Sequence, residues 1–248
     1  MNLTDAELDR YARHIVLPQV GGVGQRQLKA TSVAVIGAGG IGSAVIPALA
    51  GAGIGKLTII DSDSVELSNL QRQPLFRERD VGYAKAEMAA QFAHRLNRFV
   101  AVNPVQQRLT PENATELLGD HRLVIDGSDN FATRLAVSDA CVTLGIPLLS
   151  AAAVQFQGQV GLFRAKPCYR CFVGDAFDSD DCDTCAELGV LGALTGTVGA
   201  FAALLALNHI VGVGDDQTGA LHLFDGEKLT WRRIGIPADP TCKACSSI

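Results

Sequence analysis

A short apolar run that ends in a glycine turn constrains this chain more than any other stretch. Ser32-Val-Ala-Val-Ile-Gly37 has the character of a strand buried on both faces, and Gly37-Ala-Gly-Gly-Ile-Gly42 follows it directly. Gly37, Gly39 and Gly42 fit the G-x-G-x-x-G spacing between a strand and a helix. Without side chains, the backbone turns tightly and approaches phosphates closely. The start of the helix then offers unpaired N–H groups and a partial positive charge. A second apolar strand, Lys56-Leu-Thr-Ile-Ile60, ends on Asp61, about 20 residues on, where a carboxylate accepts hydrogen bonds from ribose hydroxyls. Strand, turn, helix, strand and acid in that order predict an adenine-nucleotide pocket rather than a tight turn with an Asp capping a loop.

The alternation continues beyond this unit. A helical run is expected over about 85–97, a strand near 101–107, a helix at 111–119 and the strand Leu123-Val-Ile-Asp126. A helix over 131–144 and the strand Ile146-Pro-Leu-Leu-Ser150 follow. This pattern predicts an α/β fold with a Rossmann-like, mostly parallel sheet covered on both faces. Residues 154–164 alternate more strongly, as do 220–224 with 229–233, and antiparallel C-terminal strands are expected there. One domain over 1–248 is the expectation, with a polar helical arm over 1–30, a nucleotide-binding half over 31–150 and a second half over 151–248.

Composition narrows the class. Of 248 residues, 48% are apolar, enough for a substantial core, and a net charge of −5 argues against a nucleic-acid coat. The first residues, Met1-Asn-Leu-Thr-Asp-Ala-Glu7, are polar and acidic and carry no export signal, so a cytoplasmic location is expected. The uncharged stretch Leu188 to Ile210 meets the length of about 20 residues that a membrane span needs. It contains internal glycines and threonines and Asn208-His209, and it lacks a basic flank and an aromatic belt. A buried core or subunit-interface helix is therefore expected, and no membrane. The acidic stretch 175–185 reads as a loop.

The charges near the pocket separate hydride chemistry from phosphate chemistry. A dehydrogenase needs little side-chain charge beside the pyrophosphate, because the helix supplies it. Attack on the α-phosphate of ATP develops charge on the phosphoryl oxygens and on the leaving pyrophosphate, which calls for arginine, lysine and a carboxylate holding magnesium. Arg72, Lys85 and Asp129 stand where such a pocket recruits them, and Asp126 and Asp129 follow a strand at the carboxyl edge of the sheet. Each alone reads equally as a surface charge; it is their joint placement after strand ends that favours function.

Ser68-Asn-Leu-Gln-Arg-Gln73, after the glycine turn and Asp61, resembles the ubiquitin-activating-enzyme-like adenylyltransferases of the ThiF/MoeB/HesA type. The resemblance runs from Arg10-Tyr-Ala-Arg-His14 through Val81-Gly-Tyr-Ala-Lys85, Asp126-Gly-Ser-Asp-Asn130 and Pro167-Cys-Tyr-Arg-Cys171 to Cys242-Lys-Ala-Cys245. It implies that Gly40, Asp61, Asn69, Arg72, Lys85 and Asp129 contact ATP, with Gly37, Gly39, Gly42, Ser68, Leu70 and Gln71 completing the nucleotide-binding set. It also implies that Asp129 holds Mg2+ and that Arg13 reaches the neighbouring subunit's site in a homodimer. Gly127-Ser128 departs from the Cys-Thr of many relatives and leaves Asp129 in place.

The implied reaction is ATP-dependent adenylylation of the C-terminal Gly-Gly carboxylate of a small ubiquitin-like sulfur carrier protein of the thiamine or molybdopterin type. Pyrophosphate leaves, and a separate persulfide sulfur donor then allows thiocarboxylate formation, since no rhodanese-like segment is appended. Val105–Thr110, Phe224–Glu227 and Trp231-Arg232 lean towards the thiamine type. Two other classes share parts of the pattern. An NAD(P)- or FAD-binding oxidoreductase shares the glycine turn but leaves Arg72, Lys85 and Asp129 unexplained, and a non-catalytic carrier-binding scaffold needs no turnover.

The seven cysteines include three C-x-x-C pairs, Cys168/Cys171, Cys182/Cys185 and Cys242/Cys245. A structural zinc takes four thiolates, so two pairs suffice, and spacing alone permits every combination. The middle pair stands among Asp178, Asp180, Asp181 and Asp183, while a proline precedes each outer pair. The resemblance also selects Cys168, Cys171, Cys242 and Cys245 for Zn2+, in the half that binds the carrier. Cys185 precedes a helix start, which favours thiolate, against the surrounding aspartates. The resemblance aligns it with a sulfur-transfer cysteine, and an uninvolved loop thiol is the equal alternative. Cys141, in an apolar helical pattern, is expected in the core.

Overall fold

The computed structural model describes residues 2–174 and 188–247. Three short helices lead in: α1 (Asp5–Arg10), α2 (Ala12–Ile15) and α3 (Gly21–Ala30). Thr4 and Glu7 form a capping box on α1, the Thr4 hydroxyl accepting from the Glu7 N–H at 3.3 Å and the Glu7 carboxylate from the Thr4 N–H at 2.8 Å. The arm is fixed to the body by polar contacts. Asn97 Nδ2 donates to the Tyr11 hydroxyl at 2.8 Å, and Arg10 donates to the Leu96 carbonyl at 2.5 Å. The helical arm expected over 1–30 consists of three pieces, broken at Tyr11 and around Pro18.

Strand β1 (Ser32–Ile36), helix α4 (Gly42–Ala52) and strand β2 (Lys56–Ile60) form the first crossover unit. Helix α5 (Lys85–Leu96), β3 (Ala101–Val105), α6 (Ala114–Leu118), β4 (Leu123–Asp126), α7 (Phe131–Leu144) and β5 (Leu148–Val154) extend the alternation. Strand β6 (Gln157–Phe163), helices α8 (Tyr169–Val173) and α9 (Gly192–Val211), and strands β7 (Ala220–Asp225) and β8 (Thr230–Gly235) complete the described elements. The eight strands form one sheet in the order β3-β2-β1-β4-β5-β6-β7-β8. The first five are parallel to their neighbours, and β5–β6, β6–β7 and β7–β8 are antiparallel. That is the mostly parallel sheet with antiparallel C-terminal strands expected from the sequence.

The order reverses direction between β1 and β4, so a crevice opens outside their carboxyl ends, where ligands bind in open α/β sheets. The parallel strands are apolar because both faces are covered. Val33, Val35, Leu57, Ile59 and Ile125 pack against α4, α5 and α9 on one side, and Ala34, Ile36, Ile60 and Val124 against α6 and α7 on the other. Strand β5 runs past the expected end at 150 to Val154, and Gln155 turns at φ 52 into β6. The antiparallel segment therefore begins at 157 rather than 154.

Helix α9 is long and apolar enough, by length and composition, to cross a membrane. One face of it is core: Val198, Ala202 and Ala206 are fully buried. Its glycines permit that fit, since a Cβ on Gly199 would lie 2.7 Å from the Ile41 carbonyl oxygen. Of the two expectations, a core helix or a subunit-interface helix, this buried face fits the first.

Candidate functional site

A cavity of about 310 Å³ lies at the switch point of the sheet. Its floor is the glycine turn. Gly37 adopts φ +86, reserved for glycine, and its N–H donates to the Ile60 carbonyl at 2.9 Å. A Cβ on Gly42 would sit 2.2 Å from the Gly37 carbonyl oxygen, so only glycine lets α4 start this close to β1. A Cβ on Gly40 would meet Thr195 of α9 at 3.0 Å, whereas one on Gly39 would face open space, with Gln73 Nε2 nearest at 3.7 Å.

Asp61 clamps this turn. Its Oδ2 accepts from the Ala38 N–H at 2.7 Å and its Oδ1 from the Asp63 N–H at 2.8 Å. Burial pushes its carboxyl above the ordinary value, against those two donors and the nearby Lys85 charge, which lower it. Lys85, the first residue of α5, is itself buried and donates to Asp63 Oδ2 at 3.0 Å. Burial raises the Asp63 carboxyl, but the hydrogen bond and charge of Lys85 outweigh it and hold the group below its usual range.

Arg72 follows the 3-10 turn Leu67–Asn69, and its Nη1 donates to the Ser68 carbonyl at 3.3 Å. A Cβ on Gly192 would lie 2.3 Å from the Gln71 carbonyl, so the start of α9 abuts the segment that carries Arg72. The amide oxygens of Asn69 and Gln73 are buried in the same wall and have no hydrogen-bond partner among the described residues. Buried acceptors left without a donor are uncommon and call for a ligand or water.

Asp129 stands on the opposite wall, in the loop between β4 and α7, exposed and without a side-chain hydrogen bond or ion pair among the described residues. The next residue, Asn130, caps α7 by accepting from the Thr133 N–H at 2.9 Å. The N-terminal ends of α4, α5, α7 and α9 all contribute to the cavity, through Ile41, Lys85, Asn130 and Thr195. Those ends, with Arg72, Lys85 and Arg108, make the cavity suited to a polyanion.

Among the sequence candidates, Gly37, Gly39, Gly40, Asp61, Asn69, Arg72, Lys85 and Asp129 line this one cavity. Gly42 stands just below it as the packing glycine of the turn. Ser68, Leu70 and Gln71 do not line it: Ser68 hydrogen-bonds Glu66 at 3.3 Å, Leu70 packs on the core, and the Gln71 carbonyl meets Gly192. Arg13 is exposed on α2 and does not line the cavity of its own chain. Cys182 and Cys185 fall outside the described residues. Sequence reasoning missed Asp63, Gln73, Arg108, Arg134 and Thr195. Gln73 stood inside the quoted motif, and Arg134 is, with Asp139, one of two charges in a mostly apolar helical run.

The outer cysteine pairs meet away from this cavity. The Sγ atoms of Cys168, Cys171, Cys242 and Cys245 all lie within 4.8 Å of one another, with separations of 3.6 Å (Cys168–Cys242), 3.5 Å (Cys171–Cys245) and 3.9 Å (Cys168–Cys171). Four thiolates bound tetrahedrally at about 2.3 Å from zinc stand roughly 3.7 Å apart, so the cluster fits that ion. The Asp239 N–H donates to Cys171 Sγ at 3.4 Å, as an outer partner of such a ligand. Burial pushes the Cys168 thiol up, and Cys245 to about 11. Four thiols crowded this closely favour a cation that replaces their protons. Cys141 is buried in the core, as expected.

Comparison with known proteins agrees with this geometry. The family model described as "ThiF family" matches residues 11–244. The sulfur carrier protein adenylyltransferase of Thermus thermophilus is 43% identical, covering 99% of this chain and 93% of that protein. The SAMP-activating enzyme E1 of Haloferax volcanii is 41% identical, covering 99% and 91%. A crystal structure of E. coli MccB with MccA-N7isoASN superposes with a TM-score of 0.84 at 21% identity, over 98% of this chain and 75% of that one, which shows the shared fold. On the family match and on these near full-length relatives, the chain belongs to the ThiF family, the ubiquitin-activating-enzyme-like adenylyltransferases.

Proposed function

We propose that the protein adenylates the C-terminal Gly-Gly carboxylate of a small ubiquitin-like sulfur carrier with ATP, releasing pyrophosphate. The observation that carries this reading is the cavity itself, where a clamped glycine turn, four helix N-termini, Arg72 and Lys85 face the unpaired carboxylate of Asp129. Binding a triphosphate uses the turn, the helix ends and the two cations, and a carboxylate with no partner among the described residues suits a divalent metal. The names of the two relatives above supply the class of carrier substrate.

In this reading Asp61 accepts the ribose hydroxyls. Burial has raised its carboxyl, so further donors favour its ionised form. The turn at Gly39 and Gly40 admits the phosphates to backbone N–H groups. Asn69 and Gln73 offer acceptors to the nucleotide or its waters. The carrier carboxylate is already ionised at neutral pH and needs no general base. One of its oxygens bonds to the α-phosphorus as the bond to the bridging oxygen of pyrophosphate breaks. Arg72 and Lys85 hold the charge that develops, so catalysis is positioning and electrostatics. Asp129 holds Mg2+, which when bound neutralises phosphate charge.

Zn2+ on the four clustered cysteines ties the C-terminal residues to the body, with a structural role. Arg13, exposed on α2, completes the partner's site in a homodimer, and a persulfide donor supplies sulfur after adenylation. Whether the carrier is of the thiamine or the molybdopterin type follows from which one is activated. The test is to mix the protein with ATP and candidate carriers of each type and measure pyrophosphate. Release that depends on the carrier and stops when its last two glycines are removed supports the reading. Release that ignores the C-terminus overturns it.

A further inference from the structure

The loop that carries Asp129 is held far more firmly than the carboxylate at its tip. Ser128, immediately before it, is gripped at every polar atom. Its N–H and its hydroxyl both donate to Asp126 Oδ1, at 2.9 and 2.6 Å, and its carbonyl accepts from the Arg134 guanidinium. Arg134 reaches back from the first turn of α7 to do this. It is almost fully buried, and it also donates to Ser150 Oγ and to the Ala151 carbonyl, each at 3.1 Å. Its Nη1 lies 3.9 Å from Asp126 Oδ2, a carboxylate oxygen that has no hydrogen-bond partner among the described residues. Tyr169, buried on α8, stands beside Arg134 and Ser150.

A buried guanidinium beside a fully buried carboxylate is a costly way to secure one turn, since both groups lose hydration. Three elements, β4, β5 and α7, converge on the single peptide preceding Asp129. No atom of Asp129's own side chain takes part. This is the arrangement in which outer groups fix the direction of a ligand without touching what it binds.

We propose that Arg134 and Ser128 are positioning residues that aim the Asp129 carboxylate at the metal of the metal–nucleotide complex. The inference rests on the proposed role of Asp129 and adds the residues that set its geometry. A merely structural Arg134 would alter stability and leave metal affinity untouched. A positioning Arg134 leaves nucleotide binding without metal intact and weakens the metal.

The test uses the full chain with a non-hydrolysable ATP analogue and Mn2+ as the probe, its binding read by electron paramagnetic resonance. Arg134→Lys keeps the charge but loses the fork that spans Ser128, Ser150 and Ala151. It is expected to weaken Mn2+ binding to the analogue-bound protein by about tenfold, with metal-free analogue affinity within about twofold of wild type. Ser128→Ala, which removes only the hydroxyl contact to Asp126, is expected to give a smaller loss, and Ser128→Thr to restore wild-type affinity. Should Arg134→Lys fail to melt cooperatively, the Ser128 pair decides on the same readout. Unchanged Mn2+ affinity in folded variants overturns the clamp alone, as does an equal loss of analogue affinity with and without metal. A wild-type protein that binds no nucleotide overturns the proposed function and the clamp with it.

Discussion

Replacing Gly39 and Gly42 separately by alanine divides the glycine turn into a part that serves the ligand and a part that serves the fold. At Gly42 an added Cβ lies 2.2 Å from the Gly37 carbonyl oxygen, well inside the 3.0 Å that real Cβ contacts respect. The start of α4 must move away from β1, in a region with no slack, at a cost of about 3 kcal/mol. For a chain of this length that is roughly 6–12 °C in melting temperature. At Gly39 the nearest atom is 3.7 Å away and the backbone does not need positive φ, so the fold tolerates the methyl group, with a change within about 0.5 kcal/mol.

That methyl stands in the cavity, where phosphate oxygens approach the turn. Losing one charge-assisted hydrogen bond there costs about 1.5–3 kcal/mol, or roughly tenfold to a hundredfold in affinity. Thermal melts and calorimetric titration with an ATP analogue measure the two effects. The expected result is a crossed pattern, with Gly39→Ala stable and weakly binding and Gly42→Ala destabilised. Wild-type affinity in Gly39→Ala would mean that phosphates do not lie over this turn, and the nucleotide pose inferred here would be wrong.

Three further outcomes follow from the same geometry. Metal analysis of the folded protein should find about one zinc per chain, and Cys168→Ser should lower both zinc content and melting temperature; a stable, zinc-free protein with four free thiols would refute the cluster's role. His121 is buried, its Nε2 paired with the Thr58 hydroxyl at 2.8 Å, and burial lowers its pKa from 6.5. Its neutral form is therefore favoured in the fold, and its contribution is complete above pH 6.5 and lost as pH falls towards the lower folded value. Melting curves from pH 7 to 5 should accordingly be shallower for His121→Gln than for wild type, a comparison that separates it from His209 and His222, which shift in the same direction. Cys185→Ala should keep carrier-dependent adenylation whatever happens to sulfur transfer, and loss of adenylation in a folded variant would join two steps kept separate here.

The parallel-strand half of the fold was legible because its signals are local. The helix expected over 131–144 is Phe131–Leu144, capped by Asn130 and ended by Gly145 at φ 68, and Leu123–Asp126 forms as read. The ends of β5 and β6 were displaced because Gln155, which turns the chain, carries no glycine or proline mark. Gly37, Asp61, Arg72, Lys85 and Asp129, which line the cavity, could be singled out because each follows a strand end or stands in a recognisable motif. Asp63, Gln73 and Thr195 were not, because their place depends on how β2, the 67–72 segment and α9 pack together. Asn69 and Gln73 both stand in the quoted motif and both leave a buried oxygen without a partner among the described residues, yet only Asn69 was singled out. The clamp on Ser128 needs β4, β5 and α7 in register, which periodicity does not encode.

On the proposed function, this cavity serves to activate a carboxylate with ATP. Carrier-dependent exchange of labelled pyrophosphate into ATP tests it most directly, because exchange requires a reversible acyl adenylate. Wild-type protein with a Gly-Gly-ended ubiquitin-like carrier should exchange label, and Asp129→Ala, folded, should not. Exchange that proceeds without any carrier, or undiminished activity in Asp129→Ala, would contradict the account.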